Sequence, residues 1–156
     1  MFDNEIKAIG LFFFLALLDE NRALIASTKA TDLFYRRMKK SPQTKPGIAL
    51  VMVCRQMWEK SRGNLYRGRP RYNPDSGWLF PEGLDLSPWK EFQKSAPEDE
   101  LLAMIWSQVL KISESDLSTA LGITEGTIRY RVGRALRKMG SMTQSNPGRG
   151  LEVVRS

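Results

Sequence analysis

The sequence predicts an all-α protein: two small helical domains joined by a linker rich in proline, glycine and aromatic residues, with a helix-turn-helix at the C-terminal end. Three observations predict it. Residues 4–40 contain no proline, and no glycine after Gly10. Residues 63–96 concentrate Pro70, Pro74, Pro81 and Pro88 with Gly63, Gly68, Gly77 and Gly83, which break any long helix or strand. Beyond residue 97 helical spacing returns, with only Gly122-Ile123-Thr124 separating the last two helices. The implied division is a helical domain at 1–62, a linker at 63–96, a helix-turn-helix domain at 97–140 and a flexible tail at 141–156. A chain of this length has room for two modest cores.

The first element is the apolar run 8–18, which includes Phe12-Phe13-Phe14. A membrane-spanning helix needs about 20 apolar residues, and only eleven residues lie between Lys7 and Asp19. A signal peptide needs a positive start, whereas Asp3 and Glu5 outweigh Lys7. The run therefore reads as a buried core helix, and no membrane partner is expected. Asp19-Glu20-Asn21 marks a break or a cap. A second helix over 23–40 spaces Leu33, Phe34 and Met38 helically and ends in Arg36, Arg37, Lys39 and Lys40, where cations suit the negative end of the macrodipole.

Ser41-Pro42-Gln43-Thr44-Lys45-Pro46-Gly47 must turn. Residues 48–62 form a third helix, closed by Gly63. Cys54 sits within an apolar stretch of it and reads as a small buried hydrophobe. The linker carries Tyr66, Tyr72, Trp78, Phe80, Trp89 and Phe92, too many aromatics for a free tether. Two readings stay open for it: packing onto the chain's own helices, or lying in a partner's groove. Ser87-Pro88-Trp89 starts a short helix with Ser87 as cap.

Charge narrows the function. Lys and Arg outnumber Asp and Glu by 24 to 17, a net charge of +7, and the pI is near 9.8. Such a balance suits a phosphate-bearing partner. The cations are clustered: four arginines and no acid between Arg62 and Arg71, and five basic residues and no acid between Arg129 and Lys138. The absence of histidine removes triad, zinc-protease and histidine-ligated finger chemistry. A single cysteine cannot form an internal disulfide, a four-cysteine zinc site or an iron-sulfur cluster. No catalytic residue, metal or cofactor is expected, the chain does not read as an enzyme, and the reducing cytoplasm is the expected compartment.

The helix-turn-helix signal lies within 97–139. Pro97-Glu98-Asp99-Glu100 places proline and acids at a helix start, and Leu101, Leu102, Ile105 and Val109 supply its apolar stripe. A short helix at 114–121 and a third at 125–139 follow. Leu117 and Leu121 bury the short helix, Ser118 is small where the third passes, Gly122 permits a left-handed turn, and Ile123 fills the corner. Thr124 caps the third helix and Glu125 complements its positive end. On that helix Ile128, Val132, Ala135, Leu136 and Met139 share one arc, opposite Gly126, Tyr130, Gly133, Arg134 and Arg137. The start of a recognition helix meets base edges and its later cations reach phosphates. Glu125, Thr127, Arg129 and Tyr130 are therefore base-edge candidates, Arg131, Arg134, Arg137 and Lys138 phosphate candidates, and Thr124 is counted with them as a DNA-binding residue. The plainer alternative is a solvated helix surface.

Ile112-Ser113, Leu117, and the run Leu121-Gly122-Ile123-Thr124-Glu125-Gly126-Thr127-Ile128-Arg129-Tyr130-Arg131-Val132-Gly133-Arg134-Ala135-Leu136-Arg137-Lys138-Met139 together resemble region four of bacterial sigma factors, of the extracytoplasmic-function group. A LuxR-type module has a similar turn but usually lacks the Gly-Thr-Ile-Arg-x-Arg-x-x-Arg-Ala run. The resemblance implies binding to the upstream promoter element and to the flap of RNA polymerase. One departure is Lys111, where a glycine often stands. Residues 1–62 are similar in layout to region two: Leu33-Phe34 to Lys40, the turn at 42–47, and the helix with Cys54-Arg55-Gln56 and Ser61-Arg62. Family members carry an acidic, glutamine-containing stretch that grips the polymerase clamp, where this chain has Ala23-Leu24-Ile25-Ala26-Ser27-Thr28-Lys29-Ala30-Thr31-Asp32. Region two also reads the downstream promoter element. This makes Arg55, Gln56, Trp58, Lys60 and Arg62 candidate contacts, with core packing of Trp58 as the competing reading.

The expected function is a sigma-factor-like transcription initiation protein that binds double-stranded promoter DNA and recruits core RNA polymerase, with an anti-sigma or other regulatory protein as a further partner. The alternative is a divergent sigma-like DNA-binding regulator, or a protein-interaction adaptor, that does not bind core polymerase.

Overall fold

The computed structural model describes residues 1–62 and 86–144. The fold is all-α: helices α1 (Asp3–Leu17), α2 (Glu20–Lys40), α3 (Pro46–Ser61), α4 (Ser87–Ser95), α5 (Glu98–Met104), α6 (Glu114–Leu121) and α7 (Glu125–Gln144), with no strand among the described residues. The linker aromatics Tyr66, Tyr72, Trp78 and Phe80, and most of the cluster that begins at Arg62, lie outside the described residues.

Helix α1 is the hub. From Phe12 to Leu18 every side chain is buried, as befits a helix that is apolar all round. Leu18 closes it in the left-handed region, φ 50°, its N–H bonded to the Phe14 carbonyl at 2.8 Å. Asp19 then caps α2, accepting from the Arg22 N–H at 3.1 Å. Helices α2 and α3 pack on α1 and on each other, with Ala23, Ala26 and Ala30 allowing α2 a close approach. Pro46 sits at the start of α3, where its missing N–H costs nothing.

Part of the expected linker is helical. Residues 87–95 form α4, with Leu86 rather than Ser87 in the capping position. Its Trp89 indole N–H donates to the Leu15 carbonyl and its Gln93 amide to the Ala16 carbonyl, each at 2.9 Å. These are two of the four carbonyls that the end of a helix leaves without partners. Trp89 and Phe92 thus pack on the chain's own helices.

Helix α5 continues into a π-helical turn, Ile105–Val109, that buries Ile105 and Trp106. The Trp106 ring stacks on Phe12, so helices of the two expected halves meet directly, and their buried side chains form one continuous cluster. Helix α3 adds a second meeting point by packing on α6. Helix α7 extends to Gln144, past the expected end at 139, so residues 141–144 of the expected tail are helical; residues 145–156 lie outside the description.

Candidate nucleic-acid interface

The corner between α6 and α7 is built by short-range bonds. Ser113 caps α6, its Oγ accepting from the Asp116 N–H at 3.1 Å. Leu117 is fully buried beneath it. Gly122 ends α6 at φ 69°, a conformation that costs an L-residue about 1–2 kcal/mol. The Ser118 hydroxyl donates across the corner to the Ile123 carbonyl. Thr124 Oγ1 accepts from the Thr127 N–H at 3.1 Å, which caps α7 as its sequence position implies.

Helix α7 then divides into two faces. Ile128, Val132, Ala135 and Met139 are buried and Leu136 is half-buried, packed among α4, α5 and α6. Outside, Thr124, Glu125, Gly126, Arg129, Tyr130, Arg134 and Arg137 are exposed, with Tyr130 61% accessible. Two of the glycines of α7, Gly126 and Gly133, have no neighbour among the described residues that requires them. A Cβ on Gly126 would meet only Thr124 Oγ1 at 3.8 Å, and one on Gly133 only Arg137 Nη1 at 3.5 Å, both ordinary contacts.

The cations are held in place by acids from α5 and α6. Arg129 Nη1 lies 3.2 Å from Glu114 Oε1, and Arg134 Nε 3.2 Å from Glu100 Oε2. Arg134 also covers the Tyr130 ring, 5.7 Å from its centroid. The Tyr130 hydroxyl first, and Glu100 second, raise the Arg134 pKa above its ordinary value, so the group stays cationic. Arg137 has no ion-pair partner among the described residues. Pairs this exposed contribute about 0–1 kcal/mol, so Arg129 can exchange its carboxylate for a phosphate at little cost. Glu100 is buried, which gives Arg134 a structural task as well.

Not every candidate faces outward. Arg131 is only half-exposed and turns toward Asp99, 3.5 Å away, into a crevice shared with Arg55 and Trp58 of α3 and with Arg62 at its C-terminal cap. Lys138 reaches back to the Ser95 carbonyl at 3.2 Å. Thr127 is half-buried and spends its hydroxyl beside Thr124, 2.9 Å away.

The five candidates on α3 do not form one surface. Trp58 is 1% exposed and donates its indole N–H to Glu98, so its ring is unavailable for base stacking; of the two readings, core packing holds. Arg62 Nη1 donates to both oxygens of the same Glu98, at 3.0 and 2.8 Å. Arg55 pairs with Glu59 at 3.5 Å. Gln56 lines a different groove, with Arg36 and Arg37, and Lys60 a third, with Arg22 and Lys29. Successive residues on a helix diverge by about 100°, and these five follow that divergence.

The sequence reading missed the acids that position the arginines. Glu100 lies 34 residues from Arg134 and Glu114 lies 15 from Arg129, spacings that carry no helical signal. It did single out Lys111, and the structure places that residue in the left-handed region, φ 59°. Among the described residues no group of three His, Cys, Asp or Glu side chains could hold a metal, and no helix is long and apolar enough to cross a membrane. No family model matches the chain, and no curated protein matches it.

Proposed function

We propose that the chain is a sigma-factor-like transcription protein that inserts the outer face of α7 into the major groove of promoter DNA, its role being binding and recruitment of RNA polymerase, with no bond made or broken. One observation carries the reading: an exposed cationic helix face bears Gly126, in its first turn, and Gly133, in its interior, and nothing among the described residues requires either. The interior Gly133 costs roughly 1 kcal/mol against alanine, and the first-turn Gly126 less. Close approach of another surface to the α7 backbone gives them a purpose. The glycine-favouring backbone at Lys111, where sigma-factor region four often has glycine, supports the resemblance from a different residue. In this reading Glu125, Arg129 and Tyr130 face bases, and Arg134 and Arg137 face phosphates.

The test is selection of duplexes from a randomised pool, followed by titration at several salt concentrations. Arg129→Ala is expected to relax sequence preference by about 1–3 kcal/mol. Arg137→Ala weakens all duplexes alike and lowers the salt slope by about one, leaving thermal stability unchanged. Arg134→Ala lowers both affinity and the thermal midpoint, because Glu100 loses its cation, and adding Glu100→Gln recovers the midpoint. Salt-insensitive binding, or indifference to Arg129→Ala and Arg137→Ala together, overturns the proposal.

A second reading is favoured by α2. In place of an acidic stretch, residues 23–32 expose Leu24, Ile25 and Lys29. A regulator that binds DNA without core polymerase fits that surface. Pull-down with core polymerase distinguishes the two: retention supports recruitment, and loss with DNA binding intact supports the regulator.

A further inference from the structure

The second turn of α2 carries two large aliphatic side chains on the outside of the molecule. Leu24 is 66% exposed and Ile25 57%, adjacent on one ridge. A groove lies on either side. Toward α1 it is lined by Ile6, Leu11, Val109 and Leu110 with Lys7; toward α3, by Met57 with Arg22, Lys29 and Lys60. Four cations line the two grooves and no carboxylate does. Arg22 leans on Asp19 at 3.8 Å, whereas Lys7, Lys29 and Lys60 have no ion pair among the described residues. Scattered single hydrophobics need no explanation, but an aliphatic ridge between a largely apolar groove with one lysine and a groove lined by three cations does.

We infer that the Leu24–Ile25 ridge of α2 and its flanking grooves form a docking surface for an acidic amphipathic helix of another protein. Charge complementarity selects this occupant. A second copy of the chain brings another +7 to a surface already cationic. The stretches outside the description do not supply the acid either: 63–85 sets Arg67, Arg69 and Arg71 against Asp75, Glu82 and Asp85, and 145–156 sets Arg149 and Arg155 against Glu152. A helix seats its apolar stripe in grooves between helices, while its flanking carboxylates meet the lysines. Concave grooves favour a helix over a flat lipid surface. The inference goes beyond the DNA reading, uses a different helix from α7, and deepens the second reading, which rests on the same exposed stretch of α2.

The experiment titrates the full chain with a labelled synthetic peptide of about five helical turns, leucines at i, i+3, i+4 and i+7 and glutamates elsewhere. Its twin has lysine for every glutamate. The acidic peptide is expected to bind with salt-sensitive affinity, at least about tenfold more tightly than the twin. Leu24→Ser with Ile25→Ser, and separately Lys7→Glu with Lys29→Glu, each weaken it at least about tenfold, with unchanged circular dichroism and thermal midpoint. Duplex titration of the same variants keeps the two proposals apart: lost peptide binding with retained DNA binding supports this surface. Failure of the wild-type chain to bind any duplex leaves the surface standing and sinks the DNA reading. The inference is overturned if the acidic peptide does not bind, if both peptides bind alike, if the variants bind like wild type, or if phosphatidylglycerol vesicles or self-association at this face outcompete the peptide.

Discussion

Phe12 of α1 and Trp106 of the π-helical turn stack in parallel, their ring centroids 5.3 Å apart and their planes 8° from parallel. Both side chains are buried, and together they join the first helix of the chain to the segment that leads into the helix-turn-helix. Phe12→Ala or Trp106→Ala is expected to cost about 3–5 kcal/mol, with a coupling between them of about 0.5–1.5 kcal/mol in a double-mutant cycle. Thermal unfolding followed by circular dichroism should show one transition for both halves. Two separable transitions, with only one shifted by Phe12→Ala, would contradict a shared core.

Gly126 and Gly133 should behave oppositely toward folding and toward binding. Gly126→Ala or Gly133→Ala each stabilises the chain by up to about 1 kcal/mol, since the added methyl meets only ordinary contacts. In the proposed function the same methyls stand between the α7 backbone and the duplex, so affinity falls while the midpoint rises. Chemical denaturation and duplex titration on the same samples check it, and variants that bind as well as wild type would remove the glycines as support for a groove.

Lys111 and Leu18 share a left-handed backbone, φ 59° and 50°, and glycine should have opposite effects at the two. Lys111 is exposed. Lys111→Gly relieves roughly 1–2 kcal/mol of steric cost, partly offset by the entropy of a more flexible unfolded chain, so a net gain of about 1 kcal/mol or less is expected. Leu18 is 1% exposed, and Leu18→Gly should destabilise by about 2–5 kcal/mol because lost packing exceeds the relieved strain. Denaturant midpoints measure both.

The Cys54 thiol is completely buried, and desolvation pushes its pKa well above the ordinary value. It remains protonated in the native protein at pH values where the unfolded chain, titrating near 8.5, begins to lose the proton. Stability should therefore be independent of this group below about pH 8 and fall as pH rises beyond it. Cys54→Ser or Cys54→Ala should flatten that alkaline limb. Labelling by a thiol reagent should follow global unfolding, and rapid labelling under native conditions would show that the α3 core opens locally.

The helix-turn-helix corner was legible because its determinants are local. Gly122, Thr124 and the Ile128, Val132, Ala135 and Met139 arc state their roles within a few residues of where they act. The boundaries 114–121 and the start at Glu125 follow from that. So did the buried helix around Phe12-Phe13-Phe14, since an apolar run too short for a bilayer has only a core to occupy. Trp106 was not legible: the apolar stripe Leu101, Leu102, Ile105 and Val109 leaves it out, and the π-helical turn that aims it at Phe12 depends on a partner some ninety residues away. The division of α3 was not legible either. Arg55, Trp58 and Arg62 turn toward α5 while Gln56 and Lys60 turn elsewhere, a distinction set by which helices surround α3. Charge clustering located cations in sequence; the carboxylates of Glu98, Glu100 and Glu114 decide which remain available.

The bonds from Trp89 and Gln93 to α1 bear on the order in which the chain acquires its structure. They span 74 and 77 residues, so when α1 leaves the ribosome its terminal carbonyls must rely on water until Trp89 and Gln93 have followed it. Helices α1, α2 and α3 alone also leave Phe12 without the Trp106 ring that covers it. A nascent chain stalled at residue 62 presents an aromatic face suited to chaperone capture, and release should coincide with emergence of the segment from Ser87 through Trp106.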